Sequence, residues 1–184
     1  DTTTASLGLS ITVNPIAPSA LTYGSDPATY TNGSAIANNN PSLGGGDAAT
    51  SYTVSPALPA GLSLSVVTGV ISGTPTAVTA TANYTVTATN DGGSTTKAVS
   101  ITVNAVAPSA LTYVSDPVTY VVNTAIANNN PSSGGGAVVS YSVAPALPAG
   151  LALNTSTGVI SGTPTAITGA ADYTVTATNT GGNA

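Results

Sequence analysis

The chain has 184 residues, room for one or two domains, and only 4% of them are charged against about 25% in ordinary domains. Its one cation, Lys97, cannot form a basic patch, which excludes nucleic acid and anionic lipid as electrostatic partners of a chain with net charge −5. The lack of Cys excludes disulfides and thiolate metal sites, and no apolar run approaches the roughly 20 residues of a membrane-spanning helix.

Phe, Trp and Met are absent as well, so the core must come from Val, Ile, Leu, Ala and the eight Tyr. Thr, Ser and Asn must solvate the surface. No signal-peptide pattern opens the chain, as expected of a mature chain or an excerpt.

In chain order, 1–14 (DTTTASLGLSITVN) alternates Leu7, Leu9, Ile11 and Val13 with small or polar residues, the period of a half-buried strand. Short strands are predicted at 20–23 and 28–31, the second ended by Asn32-Gly33. The stretch 36–41 reads as a polar edge or loop, because three Asn precede a Pro. The triple glycine at 44–46 reads as loop. Tyr52 and Val54 share a face of a strand at 50–55. In 58–76 (LPAGLSLSVVTGVISGTPT) Leu62 and Leu64 alternate with Ser, Thr68-Gly69 turns the chain, Val70-Ile71 starts another strand, and Gly73-Thr74-Pro75 stops it. The clearest strand is 83–89, with Tyr84, Val86 and Ala88 inward and the threonines between them outward. After the Asn90-Asp91-Gly92-Gly93 turn, 95–104 is the last strand, with Val99, Ile101 and Val103 inward. No window has helical periodicity, and Gly, Pro and Thr are too frequent for helix.

The same order then returns. PIAPSALTY at 15–23 becomes AVAPSALTY at 105–113, and AIANNNP at 35–41 recurs at 125–131, both 90 positions on. Past the glycines the offset falls to 89: LPAGLALNTSTGVISGTPT occupies 147–165, and YTVTATN at 84–90 returns at 173–179. Six to eight short strands per roughly 90 residues make the fold class all-β, as tandem β-sandwiches.

Three blocks in fixed order, Leu-Pro-Ala-Gly-Leu, then Thr-Gly-Val-Ile-Ser-Gly-Thr-Pro-Thr, then Tyr-Thr-Val-Thr-Ala-Thr-Asn, occur twice. They resemble the immunoglobulin-like repeat of bacterial surface proteins, a family related to cadherin-like repeats. The resemblance covers nearly the whole chain. It implies tandem immunoglobulin-like β-sandwiches, extracellular or at the cell surface, often in adhesins or stalks. The family shares no catalytic residues, so none is carried over.

The repeat register divides the chain into 1–14, the last strand of a preceding or neighbouring repeat; 15–104, a complete repeat; and 105–184, a repeat without its final strand. Residues 1–14 align with 91–104 at an offset of 90 throughout. A sandwich open at that strand exposes a groove and unpaired edges. Burying Leu7, Leu9, Ile11 and Val13 is worth roughly 6–12 kcal/mol gross, at about 1.5–3 each. Two arrangements fit. In one, 1–14 of one copy completes the second repeat of the next, strand addition of the donor-strand kind, making a head-to-tail filament. In the other, the same strand belongs to the preceding repeat of a longer covalent array. A boundary placed by the experimenter is the third reading. The expected partners are thus copies of the chain or adjacent repeats. The expected role is a structural repeat unit of a stalk or filament, insensitive to salt because it is nearly charge-free. The alternatives are a ligand- or cell-binding adhesin module, carried by exposed loops at 38–47 and 128–136, and an accessory domain of a secreted hydrolase.

Little else carries chemistry. Without His, Cys, Glu or Arg a nucleophile–base pair cannot be assembled, so no enzyme and no cofactor are expected. Calcium needs about six to eight oxygen ligands. Asp26, Asp91 and Asp116, in turns or at repeat junctions where cadherin-like domains hold calcium, are the candidates; Ser-Asp-Pro equally reads as a side-chain-capped turn. Lys97 aligns with Leu7 and faces either an isopeptide partner or, as a snorkelling side chain, solvent. Asn32, Asn83 and Asn154 fit the glycan-acceptor pattern. The recurring tyrosines read as core residues with hydroxyls at the surface, and Tyr84 and Tyr173 as analogues of a tyrosine corner.

Overall fold

The computed structural model describes residues 7–184, and every regular element among them is a β-strand. Of the 1–14 segment, 1–6 lie outside the described residues. The chain divides into two compact units. One takes in the described residues up to Ala28 with Ala35–Thr74 and Thr81–Ile101; the other takes in Thr29–Ser34, Pro75–Ala80 and Thr102–Ala184. Within the second unit, Asn32 N–H donates to Asn104 O and Gly33 N–H to Pro75 O, each at 2.8 Å, which ties its early segments together.

Eight strands make the first repeat: β1 Ser19–Tyr23, β2 Ala28–Thr31, β3 Pro41–Gly45, β4 Ser51–Ser55, β5 Leu62–Leu64, β6 Ile71–Gly73, β7 Thr79–Asn90 and β8 Gly93–Asn104. They pair as β1-β3, as β5-β6 and as a four-stranded sheet β2-β8-β7-β4. The period-2 pattern decides which face is inside. On β7, Tyr84, Val86 and Ala88 are buried; on β8, Val99, Ile101 and Val103 are fully buried. Leu21, Tyr23, Tyr52 and Ile71 are buried with them.

The glycine stretch departs from expectation. Residues 41–45 form a strand, β3, pairing with β1 through Leu21 opposite Leu43 and Tyr23 opposite Pro41. The glycines are there for close approach. A Cβ on Gly44 would meet Ala20 Cβ at 2.9 Å, and one on Gly46 would meet Ala17 O at 2.0 Å. Ala20 itself sits at φ 51°, and its repeat partner Ala110 at φ 48°, so the first strand of each repeat carries the same kink.

The second repeat contains β9 Pro108–Tyr113, β10 Pro131–Gly135, β11 Ser140–Ala144, β12 Leu151–Leu153, β13 Ile160–Gly162, β14 Thr174–Asn179 and β15 Gly182–Asn183. Its sheets are β9-β10, β12-β13 and a three-stranded β11-β14-β15. The described residues end one past β15, which pairs with β14 through Asn179 opposite Gly182 and Thr178 opposite Asn183. The segment matching β2, 118–121, is in no strand, and β14 has six residues where β7 has twelve. Exposure differs too. Ala28 is 2% exposed, but its counterpart Val118 is 46% exposed, and Ile71, Val86 and Tyr84 are buried where Ile160, Val175 and Tyr173 are half-buried.

Candidate functional site

The first repeat shows how a last strand is held. Its apolar side chains enter the interior at every second residue, and its backbone meets a fixed acceptor. Ser100 N–H donates to Asp26 Oδ1 at 2.9 Å, beside the start of β2, and Lys97 Nζ lies 2.7 Å from Asp26 Oδ2. The Lys97 hydrogen bond first, then the Ser100 amide, hold the Asp26 carboxyl below the usual carboxylate range; partial desolvation opposes them and the ammonium's charge adds to them. The Lys97 side chain is 37% exposed and that of Asp26 15%. Asp26 therefore binds the last strand from two sides, a role that sequence reasoning missed; the available signal was a Ser-Asp-Pro placed alike in both repeats, opposite the only cation.

The turn that carries this carboxylate is fixed by a buried asparagine. Asn39, 2% exposed, accepts Ser25 N–H at 2.9 Å and donates from Nδ2 to Ser25 O at 2.8 Å. Asn39 also exchanges backbone bonds with Ile71, at 2.9 and 3.0 Å. The second repeat repeats the device: Asn129 accepts Ser115 N–H at 3.1 Å and donates to Ser115 O at 2.9 Å. The stretches expected as exposed loops at 38–47 and 128–136 are mostly exposed, but they are not loops throughout. Each contains a latch asparagine buried in the sandwich and a strand, β3 or β10, because an asparagine side chain can satisfy a turn's N–H and C=O together.

A second asparagine pair fixes the segment before the first strand of each repeat. Asn90 Nδ2 donates to Ile16 O at 2.9 Å and its Oδ1 accepts Gly92 N–H at 2.9 Å; Asn179 does the same to Val106 O at 2.7 Å and from Gly181 N–H at 2.7 Å. Both asparagines are buried, Asn90 at the start of the turn expected above.

The tyrosine reading needs one correction. Tyr23 does not send its hydroxyl to the surface: the O–H donates to Gly69 O at 2.6 Å, and Tyr113 repeats the bond to Gly158 O at 2.6 Å. Burial, with the neighbouring Tyr52, pushes the Tyr23 phenol well up, and burial with Tyr141 raises Tyr113. The hydroxyl latch thus belongs to the first strand of each repeat, whereas Tyr84 and Tyr173 were the residues expected to make one.

The calcium candidates are separated. Asp26 lies beside the middle of β8, Asp91 is exposed in the β7–β8 turn, and Asp116 is exposed in the second repeat. Among the described residues no group of three or more Asp, Glu, His or Cys comes together. Of the glycan-pattern asparagines, Asn83 is exposed on β7. Asn154 is exposed, with its Oδ1 accepting Ser156 and Thr157 N–H, and Asn32 is half-buried with its Oδ1 enclosed and unpartnered. Each repeat also has a shallow apolar groove, about 380 Å³ along Tyr52, Val54 and Leu62 and about 420 Å³ along Tyr141, Val143 and Leu151.

Several large apolar residues are exposed. Leu7, Leu9, Ile11 and Val13 are 92, 79, 74 and 89% exposed, and 7–18 belong to no strand. In the repeat register Leu9, Ile11 and Val13 stand where Val99, Ile101 and Val103 are fully buried, and SITVN is identical at 10–14 and 100–104. In the second repeat, Val114, Val121 and Ile167 are 79, 67 and 88% exposed.

No curated protein matches the chain. Among solved structures, extracellular domains 3-5 of Drosophila OTK align at 14% identity and TM-score 0.50, over 91% of this chain and 60% of that one. The insect immune protein hemolin aligns at 18% identity and TM-score 0.47, over 92% of this chain and 44% of that one. Human protocadherin-24 EC1-2 aligns at 14% identity and TM-score 0.38, over 90% and 88%. The chain therefore spans less than two thirds of the OTK and hemolin fragments, and the OTK likeness is one of fold. The family described as "Putative Ig domain" matches 3–105 and again 102–184. With two tandem copies covering nearly all its length and folded as immunoglobulin-like β-sandwiches, the chain belongs to the "Putative Ig domain" family.

Proposed function

We propose that the chain is a structural repeat unit of an extracellular stalk or filament, non-catalytic, in which each sandwich is completed by a last strand of the 97–104 type. The observation that carries this reading is the double fate of one sequence. SITVN is the core of a docked strand at 100–104 and recurs at 10–14, where its apolar side chains are exposed. Joining is head-to-tail: 7–14 of one copy enters the second repeat of another, a heterologous contact that propagates instead of closing. The same fit serves between successive repeats of one long polypeptide. An extracellular setting suits a chain with 4% charged residues whose contacts are apolar and backbone-made, and so insensitive to salt.

The test is sedimentation velocity of the full chain across a concentration series, with electron microscopy at the highest concentration. Concentration-dependent linear oligomers are expected, and Ile11→Asp, a charge on an exposed side chain, abolishes them. Oligomers of unchanged size in the variant, or a monomer at every concentration, overturn complementation between copies. A denaturing gel of material from its source reads the covalent form of the array directly, as a polypeptide far longer than 184 residues.

A further inference from the structure

We propose that Asn154 is an N-glycosylation acceptor, its Nδ2 taking a sugar from an activated glycosyl diphosphate. The inference does not depend on how copies or repeats are joined. Three triplets of the chain, at Asn32, Asn83 and Asn154, have the Asn-x-Ser/Thr order, and the fold separates them.

Asn154-Thr155-Ser156 opens the turn between β12 and β13, and all three residues are exposed. Asn154 Oδ1 accepts Ser156 N–H and Thr157 N–H, each at 2.9 Å. Both bonds go to the oxygen. Nδ2 has no hydrogen-bond partner among the described residues, so the amide presents an open nitrogen beside a fixed oxygen. The backbone holds the turn, with Gly158 N–H donating to Asn154 O at 2.7 Å and Asn154 N–H to Val159 O at 2.9 Å.

The first repeat builds the same turn without the acceptor. Gly69 N–H donates to Ser65 O at 2.8 Å, and Ser65 N–H to Val70 O at 2.9 Å. Ser65 Oγ caps that turn by accepting Thr68 N–H at 3.1 Å, so capping needs only an oxygen. At the offset of 89, Ser65, Val66 and Val67 become Asn154, Thr155 and Ser156. The change adds two groups that capping does not use, an amide nitrogen and a hydroxyl two residues on.

The other two triplets are held away from an enzyme. Asn83 is exposed but lies within β7, an interior strand of the four-stranded sheet, and its backbone cannot enter a cleft unless the ladder opens. Asn32 is half-buried with Oδ1 enclosed, and its N–H is bonded to Asn104 O at 2.8 Å.

The transfer needs no redox partner. Nδ2 bonds to the anomeric carbon of the sugar as that carbon's bond to the diphosphate oxygen breaks. The diphosphate leaves with the electron pair, and one Nδ2 proton goes to a base of the glycosyltransferase. The hydrogen bonds on Oδ1 draw charge from the amide and ease the loss of that proton.

The experiment incubates the folded full chain with purified transferases that modify a free 151–158 peptide. One arm supplies a nucleotide-linked sugar and the other a lipid-linked one, and peptide mass mapping locates the product. Free peptides 29–36 and 80–87 report the other triplets without the fold. Asn154 of the folded chain is modified, and the arm that does so identifies the donor. Asn83 reacts at least roughly tenfold more slowly than in its free peptide, because it waits on local opening of the sheet. Ser156→Ala and Asn154→Ser, the second restoring the cap of the first repeat, stay folded by urea unfolding and lose the sugar at 154. If Asn154 of the folded chain stays bare in both arms, or if Asn83 of the folded chain reacts as fast as Asn154, the assignment is overturned.

Discussion

Ile101 and Ile11 are the same residue in the same pentapeptide with opposite surroundings, so Ile101→Ala and Ile11→Ala separate packing from sequence. Ile101 is fully buried; Ile11 is 74% exposed. Truncating Ile101 removes three carbons worth about 0.8 kcal/mol each, about 2.4 kcal/mol of transfer free energy. The central strand of a four-stranded sheet cannot collapse freely into the gap, so a cavity term is added, and a total of about 3–4 kcal/mol falls within the usual range for such truncations. Ile11→Ala in dilute chain costs less than about 0.5 kcal/mol, as surface substitutions do. Urea unfolding followed by Tyr fluorescence measures both, at a chain concentration below the onset of association. The Ile101→Ala transition moves to lower urea with its slope unchanged, while the Ile11→Ala transition overlays the parent. Raising the concentration then brings out the Ile11→Ala defect as lost oligomer. Equal destabilisation of dilute chain by the two substitutions would refute the assignment of 7–14 as unburied, and a cost under about 1 kcal/mol for Ile101→Ala would refute the packed core.

The other predictions concern the polar latches. Asp26→Asn costs about 1 kcal/mol or less, discounted because Lys97 is partly in solvent. Because the folded-state acidity of Asp26 is increased, its contribution is full above the ordinary carboxylate range and is lost as pH falls through its lowered folded value; the difference between parent and variant therefore shrinks in acid unfolding curves. Tyr23→Phe leaves Gly69 O without its buried donor and costs about 1–3 kcal/mol; the half-buried Tyr113→Phe costs less. The raised Tyr23 phenol keeps its full contribution below the ordinary phenol range and loses it as pH rises through the folded value, so in an alkaline absorbance titration Tyr23 ionises above the ordinary phenol range or only with unfolding. Asn129→Ala removes both side-chain hydrogen bonds to Ser115 and costs about 1–3 kcal/mol, read as a lower urea midpoint.

The fold was legible where one face alternates. On 83–89 and 95–104 the inward residues named from the period-2 pattern are the buried ones, because water on one side and a core on the other leave that mark in any strand. It was illegible where glycine serves close approach. Gly44 to Gly46 look like a loop in composition, yet they form or flank β3, since only a missing Cβ lets that chain lie against Ala17 to Ala20. The same alternation marks Leu7, Leu9, Ile11 and Val13, which stand exposed. The polar contacts of the first repeat were hidden. The Asp26–Ser100 and Asp26–Lys97 contacts join positions more than 70 apart, and a backbone amide leaves no trace in a sequence. The latch asparagines were written in the triple Asn before Pro41 and Pro131, but which of the three turns inward is decided by the strand after them.

One difference between the two SITVN strands bears on how the array is joined. Where the built-in strand has Lys97 and Val99, the exposed segment has Leu7 and Leu9. The Lys97 register is at the rim, 37% exposed when docked, so a leucine there buries roughly two thirds of its surface, worth about 1–2 kcal/mol. The ion pair it forgoes is worth about 0–1 kcal/mol. The exchange thus favours docking, as a strand held by contact alone requires. The sum still limits it: four apolar side chains give about 6–12 kcal/mol gross, against about 4–15 kcal/mol for immobilising one chain on another. On the proposed reading free copies associate weakly unless ladder hydrogen bonds add to the apolar gain, while copies held close by a surface or by a neighbouring repeat start with most of that cost removed. Tethering two copies with a flexible linker long enough to reach should then raise the apparent affinity by about a hundredfold or more, and a linker that leaves it unchanged would mean that the segment and the open sheet do not meet.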